Sequence, residues 1–306
     1  MKISEKLHLI IKITKMTQQE LAERIGISFV ALNNLINNKS QARKKTQNRI
    51  NELYLEYSGM RHIPNNILSA KKNIIRQKSK INKNVLKIIL NNENILKQII
   101  LSLTYNSNKI EGSTLTENET AAIIFDNIAL PNKTLIEQLE AKNHQTSLMY
   151  LLNYLLDKKS ISEDLILRLH SILLSGINPD AGFYRRHAVR IIGVNVATAN
   201  YLKIPELMKK LMAEINKKEK DIISQTVKIH SQFEQIHPFV DGNGRIGRLI
   251  LQAMILEKNI APAIIKQENK IFYMRYLNIS QIKNDFSLFE DFLCEAILEG
   301  YKIIEE

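Results

Sequence analysis

Residues 229–251 read IHSQFEQIHPFVDGNGRIGRLIL, and this stretch decides the fold of the chain around it. Apolar residues at helical spacing run up to His237, and a second periodic stretch begins near residues 243–245. Between them lies a glycine-containing loop that opens the second helix. Such a loop presents backbone N–H groups at the positive end of the helix dipole, which makes it an anion site suited to phosphates.

The side chains of this loop indicate phosphoryl or nucleotidyl transfer. His237 stands at the loop entrance and is a candidate general base. Asp241 is suited to hold Mg²⁺, which prefers a carboxylate together with phosphate oxygens. Arg245 and Arg248 are three residues apart and therefore emerge from one face of the helix, near its start. Each residue alone could be structural, but together they predict a nucleotide site.

The stretch resembles the Fic (filamentation induced by cAMP) family, whose motif H-P-F-x-D-G-N-G-R-x-x-R it matches at every specified position. The resemblance spans about residues 100–300. It implies an all-helical core that binds ATP with Mg²⁺ and transfers AMP to a Ser, Thr or Tyr hydroxyl of a target protein. His237 would be the catalytic base and Asp241 the metal ligand, while transfer of UMP or GMP stays open. The implied nucleotide contacts are Asp241, Gly242, Asn243, Gly244, Arg245, Ile246, Gly247 and Arg248.

Residues 182–196, GFYRRHAVRIIGVNV, have the alternation and the glycine turn of a short β-hairpin. They resemble the Fic flap, which holds the target as an added strand and covers the nucleotide. Tyr273 is expected beside the adenine, although core packing is the alternative for it or for Tyr276. The flap resemblance adds four nucleotide contacts, Val189, Arg190, Ile191 and Ile192.

Residues 104–116, TYNSNKIEGSTLT, predict a helix that ends at Glu111, with Gly112 after it and Ser113 or Thr116 capping the next helix. The segment also matches the Fic inhibitory motif [S/T]-x-x-x-E-[G/N] at Ser107, Glu111 and Gly112. That resemblance implies that Glu111 pairs with Arg248, the arginine that would otherwise bind the γ-phosphate. The enzyme would then be inhibited as long as this pair persists. The resemblance also implies that the same glutamate can assist AMP removal.

Residues 16–37, MTQQELAERIGISFVALNNLIN, predict a helix-turn-helix. Thr17 and Glu20 suit a capping box, Gly26 ends the first helix, and Ser28 caps the second. The pattern resembles the lambda-repressor-like, Xre-type helix-turn-helix family, although an interaction module that never touches DNA is the alternative. The resemblance implies base contacts from Ser28, Phe29, Asn33 and Asn34 and phosphate contacts from Lys39, Arg43, Lys44 and Lys45.

The formal net charge of +12 is concentrated in the N-terminal third, because residues 1–100 carry 19 Lys or Arg against six Glu. This asymmetry favours a polyanion partner such as DNA, or it reflects lysines on solvated helix faces. We expect an all-α fold with a β-hairpin flap, divided into three regions. These are a helix-turn-helix domain (1–60), a basic linker (61–100) with a long helix over 81–103, and a Fic domain (101–306) whose inhibitory helix covers about 101–112.

Several classes are excluded. The single cysteine, Cys294, rules out a disulfide framework and a Cys-based zinc site and favours a reducing compartment. No apolar run reaches about 18 residues, so no transmembrane helix is expected, and the N-terminus is a poor secretory signal. The two resemblances together imply an adenylyltransferase that acts on a target protein or on itself and binds DNA. The exclusions add the expectation of a cytoplasmic, bacterial-type protein, and whether it forms a homodimer stays open. Two alternatives stay open, a de-AMPylating Fic enzyme and a transcription regulator that uses the Fic core as a nucleotide sensor.

Overall fold

The computed structural model describes residues 1–59, 63–157, 159–189 and 197–306. Within these ranges every regular element is helical, which confirms the expected all-α core. Four helices form an N-terminal bundle: α1 (Ile3–Thr14), α2 (Gln18–Ile25), α3 (Phe29–Ile36) and α4 (Lys44–Ser58). The predicted capping box is present, since Thr17 Oγ1 accepts from the Glu20 N–H at 3.2 Å and the Glu20 carboxylate accepts from the Thr17 N–H at 2.8 Å. Local capping chemistry therefore sets the start of α2.

The prediction of a single long helix over residues 81–103 is wrong. The chain instead forms α5 (Asn65–Ile81), α6 (Val85–Asn91) and α7 (Glu93–Glu111). Asn84 takes a left-handed conformation and Asn92 an extended one, and each side chain accepts hydrogen bonds from the first turn of the helix that follows it. Asparagine competes with the backbone for such bonds, and this competition breaks the apolar periodicity into separate helices.

The body of the protein is built around one central helix, α13 (Asn243–Glu257). The other helices of the body after α7 are α8 (Glu117–Phe125), α9 (Leu135–Leu156), α10 (Glu163–Leu173), α11 (Ile204–Ile215), α12 (Ile222–Ile236), α14 (Lys270–Lys283) and α15 (Ser287–Glu305). Nearly every side chain of α13 is buried, and α7, α9, α10 and α12 pack against it. A helix that is enclosed on all sides holds its first turn rigidly.

The expected flap is described only in part. Residues 182–189 contain no strand, and the Thr198 hydroxyl donates to the carbonyl oxygen of Val189 at 2.8 Å. The rest of the first arm, with Arg190, Ile191 and Ile192, lies outside the described residues, as does the predicted turn at Gly193. The β-hairpin is therefore not supported by the part of this segment that the structure describes. None of the described helices is both long enough and apolar enough to cross a membrane.

The N-terminal bundle packs directly on α14. The ring of Tyr57 stacks on Phe272 at 4.9 Å between centroids, and the Arg24 guanidinium lies 4.5 Å from the centre of the same ring. Tyr57 is fully buried in this contact. Any movement of the bundle therefore has to break aromatic packing against the helix that also carries Tyr273.

Much of the positive charge on α5 is neutralised inside the molecule. Lys71, Lys72 and Lys78 all form ion pairs with acidic residues near the C-terminus or ahead of α12. Their partners are Asp291 and Glu295, Asp221 and Glu290, and Glu305. These lysines hold α5 against α15, so they do not add to a surface for a polyanion.

Candidate active site

The loop between α12 and α13 has the geometry that its sequence predicts. His237 ends α12 in a left-handed conformation, and Gly242 adopts φ 76° immediately before α13, a value that glycine reaches without strain. The side chain of Asn243 accepts from the Phe239 N–H and donates to the Phe239 carbonyl, both at 2.9 Å. This clamp fixes the loop while the first N–H groups of α13 keep no partner within their own helix.

His237 is held in one tautomer. Its Nδ1 lies 3.3 Å from the carbonyl oxygen of Glu234, which can only accept, so Nδ1 carries the proton. The other ring nitrogen, Nε2, is then left with a lone pair. Burial lowers the pKa of His237 from its ordinary value, which favours the neutral imidazole that a general base requires.

Asp241 projects from the loop into solvent, with 55% of its side chain exposed. One carboxylate oxygen accepts from the Gly242 N–H at 2.6 Å, and the other lies 3.5 Å from Arg245 Nη2. No group of three or more acidic, histidine or cysteine residues suited to a metal ion occurs among the described residues. Asp241 therefore stands as a single, accessible carboxylate beside the free amides of α13.

Arg245 does not face an open phosphate site, in contrast to its expected role. Its side chain is 3% exposed, and Nη1 donates to Glu140 Oε1 on α9 at 2.6 Å. Because Nη2 also approaches Asp241, Arg245 links α9 to the loop carboxylate. Arginine in such a fork orients its partners as well as carrying charge. In this structure Arg245 therefore positions Asp241.

Arg248 meets the last turn of α7, as the inhibitory motif implies. Its Nη2 donates to Glu111 Oε1 at 2.6 Å, while Nε and Nη2 donate to the hydroxyl and carbonyl oxygens of Ser107, both at 3.0 Å. Gly112 follows at φ 110°, which only glycine adopts easily, and ends the helix beside the site. Partial burial raises the pKa of Glu111, but the charge of Arg248 outweighs it, and the pKa lies below its ordinary value.

Two residues that contact the loop, Arg185 and His170, are not predicted as site residues from the sequence. Arg185 is buried and donates to the carbonyl oxygens of His237, His187 and Ala199 at 2.6–2.8 Å. His170 on α10 contacts both Asp241 and Gly182 through its ring nitrogens. Nothing in the local pattern around His170 distinguishes it from a core histidine. Arg185 belongs to the predicted flap motif, but its contacts with the loop have no sequence signal.

Three residues predicted as nucleotide contacts lie in the core instead. Tyr273 is 1% exposed, and its hydroxyl lies 2.8 Å from His230 Nε2, so its ring offers no free face to an adenine. Ile246 is fully buried, and Gly247 packs against Glu234 and His230. The reason is helical geometry, since the face of α13 opposite Arg245 and Arg248 has to fill the core. His230 is a packed core histidine as well, because it is buried and its Nδ1 bonds the Gly247 carbonyl.

The exposed surface of the N-terminal bundle carries most of the side chains predicted to contact DNA. Ser28 caps α3, and Phe29 is 44% exposed beside it. Asn33 is less free, since it donates to Gln18 and accepts from Asn37. The four basic residues predicted to contact phosphates are all exposed, and we call them the basic edge: Lys39, Arg43, Lys44 and Lys45.

The fold is a set of helices packed around a glycine-containing loop, and comparison with known proteins shows what this part of the chain is similar to. Residues 160–255 match the model of the Fic/DOC family, which assigns this part of the chain to a Fic/DOC domain. The Protein adenylyltransferase Fic of Nematostella vectensis is 33% identical over 192 residues, 60% of this chain and 44% of that protein. The corresponding protein of Drosophila melanogaster is 27% identical over 196 residues, 63% of this chain and 39% of that protein. The chain thus spans less than half the length of these two curated relatives.

Solved structures agree with the fold. A Fic domain containing signaling protein from Bacteroides thetaiotaomicron superimposes with a TM-score of 0.68 at 22% identity, covering 77% of this chain and 97% of that one. Fic-1 from C. elegans also gives a TM-score of 0.68, at 19% identity, and covers 97% of this chain and 86% of that one. At these identities the likeness establishes the fold alone.

Proposed function

We propose that this protein is an autoinhibited adenylyltransferase that transfers AMP from ATP to a Ser, Thr or Tyr hydroxyl of a target protein, its own hydroxyls included. The observation that carries the proposal is the convergence at one loop of a base with a free Nε2, an accessible carboxylate and the unpaired amides of a buried helix. The relatives named protein adenylyltransferase support the same chemistry.

The reaction requires few groups from the protein. His237 Nε2 takes the proton of the target hydroxyl while that oxygen attacks the α-phosphorus of ATP. The new P–O bond joins AMP to the target, the bond from the α-phosphorus to the bridging oxygen breaks, and pyrophosphate leaves. Negative charge on the α-phosphate oxygens is stabilised by the first N–H groups of α13, including those of Asn243 and Gly244. Proton, nucleotide and leaving group are all accounted for.

The loop fits Mg²⁺ as the companion of ATP. Mg²⁺ is usually held by one or two carboxylates with substrate phosphates and water, and Asp241 offers one exposed carboxylate next to the amide nest. When bound, the ion would neutralise phosphate charge. Arg245, fixed by Glu140, keeps the Asp241 carboxylate in place for this role.

The pair between Glu111 and Arg248 supplies the autoinhibition. With Arg248 bound to Glu111 and Ser107, its guanidinium is not available to the γ-phosphate. ATP would then bind with its phosphates turned, and the α-phosphate would not lie in line for attack. Loss of Glu111 frees Arg248, whose two bonds to Ser107 still hold it in position.

The test is transfer from α-labelled ATP in the presence of Mg²⁺, using Glu111→Gly as the released form. We expect that adding His237→Ala lowers labelling by about 10²- to 10⁴-fold, the usual contribution of a general base. ATP affinity, measured by calorimetry, should change little, because the ring does not form the phosphate nest. Undiminished labelling by the double variant would contradict the mechanism.

AMP removal is the second candidate function, and one observation favours it. Glu111 is 38% exposed, so its carboxylate reaches solvent at the mouth of the site and can orient a water. Release of AMP from a modified protein by the wild type, but not by Glu111→Gly, would identify this activity. A nucleotide-sensing regulator would instead bind ATP and show no transfer or release with any variant.

The N-terminal bundle extends the proposal to DNA. The exposed start of α3 would read base edges while the basic edge meets phosphates. Band shifts with duplex DNA at low salt test this directly, and absence of any shift would favour a protein-interaction module. The homodimer stays a prediction of the sequence, to be checked by sedimentation equilibrium.

A further inference from the structure

His170 lies at the junction of two segments that are far apart in sequence. It sits on α10, buried against the loop, with its ring stacked on Phe239 at 3.7 Å between centroids and 8° between planes. Its Nε2 is 3.1 Å from the carbonyl oxygen of Asp241, and its Nδ1 is 2.8 Å from the backbone nitrogen of Gly182. Each ring nitrogen therefore contacts a different segment.

These two contacts fix the protonation of the ring. The Gly182 N–H can only donate, so Nδ1 carries the lone pair, and the Asp241 carbonyl can only accept, so Nε2 carries the proton. No other tautomer satisfies both backbone groups.

The segments that His170 joins are both central to the proposed chemistry. Asp241 is the loop residue that would face Mg²⁺. Fixing its backbone carbonyl also fixes the position from which its side chain extends. Gly182 is the first residue of the segment that leads to the predicted target flap. The same segment reaches the loop a second time, since the Arg185 N–H donates to the Pro238 carbonyl at 2.9 Å.

We propose that His170 is a positioning residue that holds the nucleotide loop and the start of the flap segment in fixed register, one through each ring nitrogen. This inference rests on the proposed adenylyltransferase function. The Nε2–H bond to Asp241 sets the loop relative to the α-phosphate. The Nδ1 bond to Gly182 sets the segment that would receive the target. His170 does not touch substrate; it acts through Asp241 and Gly182.

Two amide substitutions separate the two bonds. His170→Gln places an amide near Nε2 and can keep the bond to Asp241, whereas His170→Asn places an oxygen near Nδ1 and can keep the bond to Gly182. His170→Phe keeps the stacking on Phe239 and loses both bonds. His8→Phe, at an exposed position of α1, controls for the exchange of a histidine elsewhere. All four are made in the Glu111→Gly chain.

The expected results cross over. His170→Asn lowers kcat by about 10²-fold, the cost of a misplaced reacting group. Its KM for the protein acceptor, taken as the protein that Glu111→Gly labels most strongly in lysate, stays within about threefold. His170→Gln raises that KM by about tenfold and keeps kcat within about threefold, because only the target segment loosens. His170→Phe shows both defects. If kcat falls in all three variants in proportion to their loss of Tm, with no separate effect on KM, His170 is only a packing residue and the proposal is overturned.

A second measurement does not depend on transfer. Nitrogen-15 NMR of the Glu111→Gly chain with labelled histidine should show an unprotonated Nδ1 and a protonated Nε2 for the resonance that disappears in His170→Phe. The reverse tautomer, or a protonated ring at pH 7, would overturn the proposal. If Glu111→Gly itself transfers no AMP, the proposed function fails, while the NMR result still decides whether His170 bridges the two segments.

Discussion

Removing the carboxylate of Glu111 should raise AMP transfer by a factor that the structure allows us to bound. The change to Gly deletes one charge-assisted hydrogen bond, from Arg248 Nη2 to Glu111 Oε1 at 2.6 Å. A hydrogen bond to a charged group contributes about 1.5–3 kcal/mol. The Arg248 side chain is 6% exposed, whereas that of Glu111 is 38% exposed, so solvent weakens the pair toward the lower end of that range.

An incoming γ-phosphate has to offset this free energy before it can take Arg248 from Glu111. At about 1.4 kcal/mol for each factor of ten, its loss corresponds to a gain of about 10- to 100-fold in the competent state. Substitution should leave the fold intact, because Ser107 continues to hold the guanidinium. The position is also the last residue of α7, where glycine is well tolerated.

The assay is the initial rate of labelling from α-labelled ATP with Mg²⁺, on the protein itself and in lysate. Glu93→Gly is the matched control, since Glu93 is the first residue of the same helix and pairs only with the exposed Lys97 among the described contacts. The control should label at the wild-type rate. Equal labelling by wild type and Glu111→Gly would refute the view that this pair restrains the enzyme.

Three further outcomes are expected. Stability to urea should peak near pH 6.5: burial lowers the pKa of three histidines besides His237, so folding stability is lost as pH falls below 6.5, and it raises the pKa of Glu234 to about 8, so stability is lost as pH rises toward 8. Each group contributes up to about 1.4 kcal/mol per pH unit, and Glu234→Gln should flatten the alkaline limb; a flat profile would contradict this. The histidines are His144 with a pKa of about 3, His170 with about 4 and His230 with about 3. Gly300→Ala should destabilise the fold by about 2–3 kcal/mol, since the added methyl would overlap the Pro262 carbonyl; thermal melting checks this, and the gain usual for a helical glycine would contradict it. Replacing Arg43, Lys44 and Lys45 by Ala should weaken duplex binding and reduce its salt slope by about one for each phosphate that is no longer neutralised, and an unchanged slope would remove the basic edge from the interface.

Local chemistry made much of the fold predictable. The capping box of α2, the serine cap of α3 and the glycine that ends α7 all follow from residues within four positions of each other. The same rules, applied to the asparagines at 84 and 92, would have divided the helix expected over 81–103. There apolar periodicity outweighed the capping signal, and the prediction failed for that reason.

The pairing of Glu111 with Arg248 is predicted by a family resemblance and not by local capping chemistry. These residues are 137 positions apart, and no local rule joins them. The prediction came from a family resemblance, and the structure confirms the contact itself. The same resemblance implies that Arg245 and Arg248 both contact the nucleotide, and only the packing of α9 shows that Arg245 binds Glu140.

The sequence by itself determined the loop, the helix that the loop opens, the candidate base and the concentration of charge near the N-terminus, because these depend on neighbouring residues and composition. Tertiary structure alone decided which polar groups meet: Glu140 pairs with Arg245 across 105 residues, and His170 bonds the backbone carbonyl of Asp241 across 71. It also turned lysines of α5 inward, onto the acids of α15. The physical reason is that a buried polar group must find a partner, and the packing of the helices determines which one is within reach.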